Sequence, residues 1–159
     1  MDVRMERKPS LKIIGMTLSV LLQVERKHKL ITKLHDQFDK RIHEIKAKKS
    51  PTFVYGIFID PPNYQYETDE FTWVAGVEVD NLSEVPENMA GYEFPENLYA
   101  ITTYKGPKGE AGHIYDALYN WIEESEYSLA DTYGLEIYSE NEDEENMIIM
   151  DLCFPILKK

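Results

Sequence analysis

The sequence holds one cysteine in 159 residues, no apolar run long enough to cross a bilayer, and only four lysines and arginines beyond residue 50. A lone thiol cannot close an intrachain disulfide and suits a reducing compartment, so a cytoplasmic protein is expected. Cys153 lies in the apolar run Met147 to Phe154, which marks it as a core thiol rather than a nucleophile. The apolar stretch Ile13 to Val24 is interrupted by Thr17, Ser19 and Gln23 and lacks a small-residue cleavage site, so it does not read as a secretory leader. No GxSxG, phosphate-binding glycine loop, HExxH pair or Cys/His cluster is present, and no metal or cofactor is expected. His28, His35 and His43 lack zinc-pair spacing and read as surface residues of a helix.

What is present points to a globular binding protein. Hydrophobic residues make up 43% of the chain, enough for a core, and 11 tyrosines offer rings with a polar tip, a composition suited to binding walls. Charge is segregated: residues 1–50 carry a net +7, whereas residues 51–159 carry −19. The acidic majority argues against direct nucleic-acid binding, which needs clustered cations, and the basic segment reads as the solvated face of an amphipathic helix rather than a membrane anchor. A protein partner or a homodimer remains open.

Residues 1–10 are polar and are expected to be flexible. Leu11 to about Leu22 reads as a strand. From Glu25 to Lys49, Leu30, Leu34, Phe38, Ile42 and Ile45 recur every three or four residues, which predicts one long helix closed by Ser50-Pro51. Two strands follow, Phe53–Ile59 and Phe71–Val79, joined by a polar loop whose Tyr64 and Tyr66 read as a plain connection or a flap over a site. Residues 81–97 contain Pro86, Gly91 and Pro95 with no periodicity and read as a linker. The order then repeats: strand Leu98–Tyr104, helix His113–Glu124, and strands at 134–139 and 147–156 around the acidic turn 139–146. Half one is thus about 11–80 and half two 98–157.

This predicts an α+β fold of two βαββ modules forming an antiparallel sheet, with two helices on one face and a ligand groove between the halves. On the strand Gly134-Leu135-Glu136-Ile137-Tyr138, alternation puts Glu136 and Tyr138 on one face. Such a pair either decorates a wet sheet or floors a site for a flat cation, held by the carboxylate and by aromatic rings. If Leu135 and Ile137 meet the helices, Glu136 and Tyr138 face a groove on the helix-free side. Trp73, Tyr55 and Tyr104 lie on strands of the two halves, where each is either core or groove wall. Trp121 reads as core.

The duplicated order, the strand ending Tyr104-Lys105-Gly106, the helix containing Asn120-Trp121-Ile122, the Glu136-Ile137-Tyr138 strand and the closing Leu152-Cys153-Phe154-Pro155-Ile156 resemble the GyrI-like small-molecule-binding domain. That domain is the effector-binding part of many AraC- and MerR-type regulators, and the likeness covers residues 10 to 157. It implies an aromatic pocket between the halves with a buried glutamate that receives lipophilic cations, the glutamate falling on Glu136 and its tyrosine on Tyr138. Tyr55, Trp73 and Tyr104 are the expected walls. With only one strand and one helix in residues 1–50, a stand-alone multidrug or effector-binding protein is expected, linked at most indirectly to transcription regulation. The resemblance also implies an alternative, a hydrolase of cyclopropane-bearing genotoxic compounds, in which Glu136, Tyr104 and Tyr138 would carry the acid-base chemistry.

Overall fold

Among the described residues nine strands pair into one antiparallel sheet in the order β1-β6-β9-β8-β3-β4-β2-β5, with β7 on the far end of β9. The strands are β1 Arg4–Lys8, β2 Leu11–Val20, β3 Val54–Ile59, β4 Phe71–Glu78, β5 Ala90–Phe94, β6 Asn97–Pro107, β7 Tyr127–Leu129, β8 Tyr133–Ser139 and β9 Met147–Lys158. The helices are α1 Leu22–His28, α2 Leu30–Arg41 and α3 His113–Glu124. The computed structural model describes residues 1–139 and 146–159. The acidic turn expected between β8 and β9 therefore lies largely outside the described residues.

The duplication is explicit in the sheet. In half one, β4 sits between β2 and β3; in half two, β9 sits between β6 and β8. The second strands of the two halves, β3 and β8, meet at the centre, with Gly56 opposite Glu136 and Phe58 opposite Gly134.

Three local expectations change. The first residues are not loose: β1 pairs with β6, and the Arg4 guanidinium bonds both Thr103 and Asp151, each at 3.0 Å. The polar character of β1 fits an edge strand, whose outer side faces water. The segment 81–97 includes β5, which pairs with β2 from Leu11–Phe94 to Gly15–Ala90. The single long helix is broken at Lys29, whose left-handed backbone (φ 52°) ends α1. The Glu25 carboxylate accepts the Ile31 N–H at 2.9 Å, satisfying a donor at the start of α2 that would otherwise be orphaned. After a 3-10 turn over Ile42–Glu44, Ile45 turns extended and is buried, while the Lys48 ammonium donates to the Ile42 and Ile45 carbonyls.

The link between β5 and β6 shapes the sheet. These strands lie near opposite ends of the order, yet only Pro95 and Glu96 separate them in sequence. Three residue steps reach at most about 11 Å, so the sheet has to curl until its ends approach. Phe94 on β5 accordingly packs 4.7 Å from the ring of Tyr133 on β8. Inside the curl lies a core of Leu11, Ile13, Ile57, Val74, Ile101, Leu135 and Cys153. The outer face carries two further cores, one under α2 around Phe38, Ile14 and Val77, and one under α3 around Leu118, Leu152 and Phe154.

The curl reverses one expectation. Leu135 does not meet the helices; it fills the closed inner face, and Glu136 and Tyr138 point to the helix-bearing side, between α2 and α3. The helix-free face is filled by this core except for a cavity of about 110 Å³, and a larger groove opens on the other side.

Candidate functional site

The floor of the gap between the helices is formed by the central strands. On this face β8 presents Gly134, Glu136 and Tyr138, and β3 presents Gly56 and Phe58. The two glycines matter by what replaces their side chains. A Cβ on Gly56 would lie 2.5 Å from Cζ2 of Trp73, and a Cβ on Gly134 would overlap the ring of Phe58. The rings of Trp73 and Phe58 therefore occupy the space over these two glycines, on the strands that carry or flank Glu136.

Glu136 is 8% exposed. Its two carboxylate oxygens accept hydrogen bonds from the phenols of Tyr115, on α3, and Tyr138, on its own strand. Burial raises the carboxyl above the ordinary glutamate range, and the two phenol donors pull it partly back. Burial and the adjacent carboxylate hold the phenols of Tyr115 and Tyr138 well above the usual tyrosine value. Among the described residues no lysine or arginine pairs with Glu136. Its charge is neutralised by no fixed cation and is only dispersed through phenol O–H groups.

Above this floor opens an aromatic groove of about 290 Å³, near the lower end of ligand-pocket sizes. Trp73 and Phe71 of β4 form one wall with Leu22 and Ile31 of the first-half helices, and Tyr115 and Tyr119 of α3 form the other. Phe58 and Tyr64 complete it. Tyr115 belongs both to the groove and to the Glu136 cluster, so its phenol separates the open space from the carboxylate. Phe58, Tyr115, Tyr119 and Phe154 form a continuous set of rings with centroids 4.4 to 6.0 Å apart.

The expected site residues separate cleanly. Tyr138 donates to Glu136, and Trp73 neighbours this pair through Gly56 and His35. Tyr55 does not join them: it lies on the inner face of the curl beside Leu135 and lines a separate small cavity with Glu78 and Tyr99. Tyr104 shares the helix-bearing face, but its hydroxyl donates to the Pro107 carbonyl at 2.7 Å and its ring packs against His113, away from Glu136. Tyr64 belongs to the groove, as a flap residue would, while Tyr66 is exposed.

The sequence reading missed Tyr115 and His35. Tyr115 sits beside the apolar stripe of α3, one helical turn from Tyr119, and that i,i+4 pair of phenols facing one way was the available signal. His35 is not a surface residue. It is half-buried on α2, its Nε2 accepts the Trp73 indole N–H at 3.0 Å, and its ring stands edge-on to Tyr138 at 5.9 Å. Burial, then nearby Lys108, push its pKa down to about 4, so the imidazole is neutral near pH 7. Among the described residues no group of three or more His, Cys, Asp and Glu side chains is arranged to hold a metal ion, and no helix is long and apolar enough to cross a membrane.

Known proteins share this architecture. The profile of the family described as "GyrI-like small molecule binding domain" matches residues 1–157. The transcriptional regulator BrlR of Pseudomonas aeruginosa is 32% identical over 122 residues, covering 77% of this chain, and the match spans 42% of the regulator's own length. Among solved structures, SAV2435 bound to tetraphenylphosphonium superposes with a TM-score of 0.74 at 11% identity, over 99% of this chain and 94% of that one. A hydrolase encoded by lin2189 of Listeria innocua superposes with a TM-score of 0.56 at 12% identity, over 98% of this chain and 91% of that one.

Proposed function

The chain belongs to the GyrI-like small-molecule-binding family, and on that premise we propose that it binds lipophilic aromatic cations in the groove between α2 and α3, with Glu136 as the charge partner. The observation that carries this reading is the buried Glu136, which has two phenol donors and no cationic partner among the described residues. A bound cation would replace the phenol bonds, favour the ionised carboxylate and stack on Trp73 and Tyr115. That a related fold holds tetraphenylphosphonium supports the ligand class. The likeness to a regulator supports a role as an effector sensor, and the buried thiol of Cys153 supports a reducing compartment such as the cytoplasm.

The test is calorimetric titration with tetraphenylphosphonium and with neutral triphenylphosphine oxide. Wild type should prefer the cation, and Glu136→Gln should weaken cation binding by about tenfold or more, on the order of 1.4 kcal/mol, while changing the neutral ligand little. Equal cation binding by wild type and variant would remove Glu136 from the role.

A hydrolase reading uses the same cluster, with Tyr115 taking the place expected for Tyr104, because among the described residues Tyr115 and Tyr138 hold the carboxylate. Its support is the hydrolase of the same fold. Incubation with a cyclopropane-bearing alkaloid and mass analysis separates the readings: more than one equivalent of ring-opened product indicates turnover, and unmodified ligand indicates binding alone.

A further inference from the structure

One carboxylate in the groove has no part in the Glu136 cluster. Asp60 follows β3 directly, and its backbone is fixed from both sides: its N–H donates to the Thr132 carbonyl, and its carbonyl accepts the Thr132 hydroxyl, both at 2.9 Å. Asp60 lines the aromatic groove and also an adjoining cavity of about 130 Å³, which shares Phe58, Tyr64 and Tyr119 with the groove. Among the described residues the carboxylate makes no hydrogen bond and no ion pair, and every charged side chain lining the two cavities is acidic.

The other two acids are already engaged. Glu25 accepts the Ile31 N–H, and Asp131 accepts the Thr132 N–H at 2.7 Å. Among the described acids that line the two cavities, Asp60 is the one whose carboxylate is unengaged. Burial pushes its carboxyl up to about 6, which leaves it ionised near neutral pH yet poorly hydrated. Burial first, then the Asp60 charge, raises both flanking phenols, Tyr64 and Tyr119, the latter to about 12.

Position gives the ligand a length. Glu136 pairs with Gly56 on β3, and Asp60 lies four residues further along the same chain direction. At about 3.3 Å per residue the backbone positions of the two acids are on the order of 13 Å apart along the sheet, with Phe58 between them in sequence. We propose that Asp60 is a second cation subsite, so that the groove selects elongated aromatic ligands carrying two cationic centres, one held at Glu136 and the other at Asp60. This rests on the reading of Glu136 as a cation partner and adds to it a ligand class and a spacing.

The experiment titrates the protein with the bis-amidine dye DAPI and with its mono-amidine analogue, near neutral pH. Wild type should bind the bis-amidine at least about tenfold more tightly. In Asp60→Asn the ratio of the two affinities should fall to near one, and retained mono-amidine binding in that variant shows that the groove is folded. In Glu136→Gln both dyes should weaken. Mono-amidine binding that depends on Glu136, with no bis-amidine preference in wild type or a preference that survives Asp60→Asn, would overturn this inference alone. No binding of either dye, or binding indifferent to Glu136→Gln, would overturn both readings.

Discussion

Gly56 and Glu136 face each other across the β3–β8 ladder, and the indole of Trp73 occupies the space that a side chain at position 56 would fill. The absent side chain on the first half thus brings the aromatic wall to the carboxylate of the second.

Gly56→Ala should therefore act on binding and stability together. The new methyl group would sit 2.5 Å from Trp73 Cζ2, and the indole, tied to His35 by its N–H, has to swing away. Overpacking of this kind costs about 1–3 kcal/mol, partly offset by the reduced unfolded-state freedom of alanine, about 0.4–1 kcal/mol. Urea unfolding should show a net loss of roughly 1 kcal/mol or more. Tetraphenylphosphonium affinity should drop several-fold. A variant that matches wild type in both measurements would mean that Trp73 has room to shift and is not held as the wall.

How far the sequence could be read depends on whether a feature is local. The α3 span His113–Glu124 is set by local periodicity and is legible to the residue. The kink at Lys29 is not, because it rests on one left-handed residue and a carboxylate reaching Ile31. Alternation placed Glu136 and Tyr138 on a common face, but which face bears helices depends on the curl imposed by the short β5–β6 link, a nonlocal constraint. That is why Tyr55, with the right residue type on the right strand, ends inside the curl. His35 was hidden for a similar reason: its partner Trp73 is 38 residues away, and helical spacing alone could not show an imidazole accepting from an indole.

A site that buries a carboxylate without a cation should reduce stability. The folded state raises the Glu136 pKa above its ordinary value, so the native protein holds that proton more tightly than the unfolded chain. Its contribution is then favourable at low pH and is lost as pH rises through the folded pKa. Glu136→Gln removes the ionisation, and its amide can still accept from one phenol and donate to the other. Near neutral pH the variant should melt higher than wild type, by about 2–4 °C for each kcal/mol recovered, while binding cations less well. A lower melting temperature would indicate that the phenol–carboxylate bonds outweigh the burial of charge.

His35 should make the opposite contribution to pH dependence. The groups around it come from four elements: Trp73 on β4 donates to Nε2, Tyr138 on β8 stands edge-on, Lys108 after β6 opposes a second positive charge, and Asp36 on α2 weakly favours it. Protonation would turn Nε2 from acceptor to donor and break the bond that orients the groove wall. With a folded pKa of about 4 against an ordinary histidine value of 6.5, the unfolded chain takes up the proton first on acidification. Stability is therefore lost as pH falls from the unfolded value toward the folded one, by about 2 kcal/mol on reaching about pH 5. Over the same window Asp60 and Glu136, with raised carboxyl pKa values, shift stability in the other direction, so the net change in wild type is smaller than the His35 part. His35→Gln keeps an acceptor for the Trp73 indole but cannot titrate. Urea unfolding at about pH 7 and about pH 5 should show the variant gaining about 2 kcal/mol relative to wild type between the two conditions. Parallel pH curves for the two proteins would mean that the imidazole does not change protonation on unfolding, and that the Trp73 wall is held by packing alone.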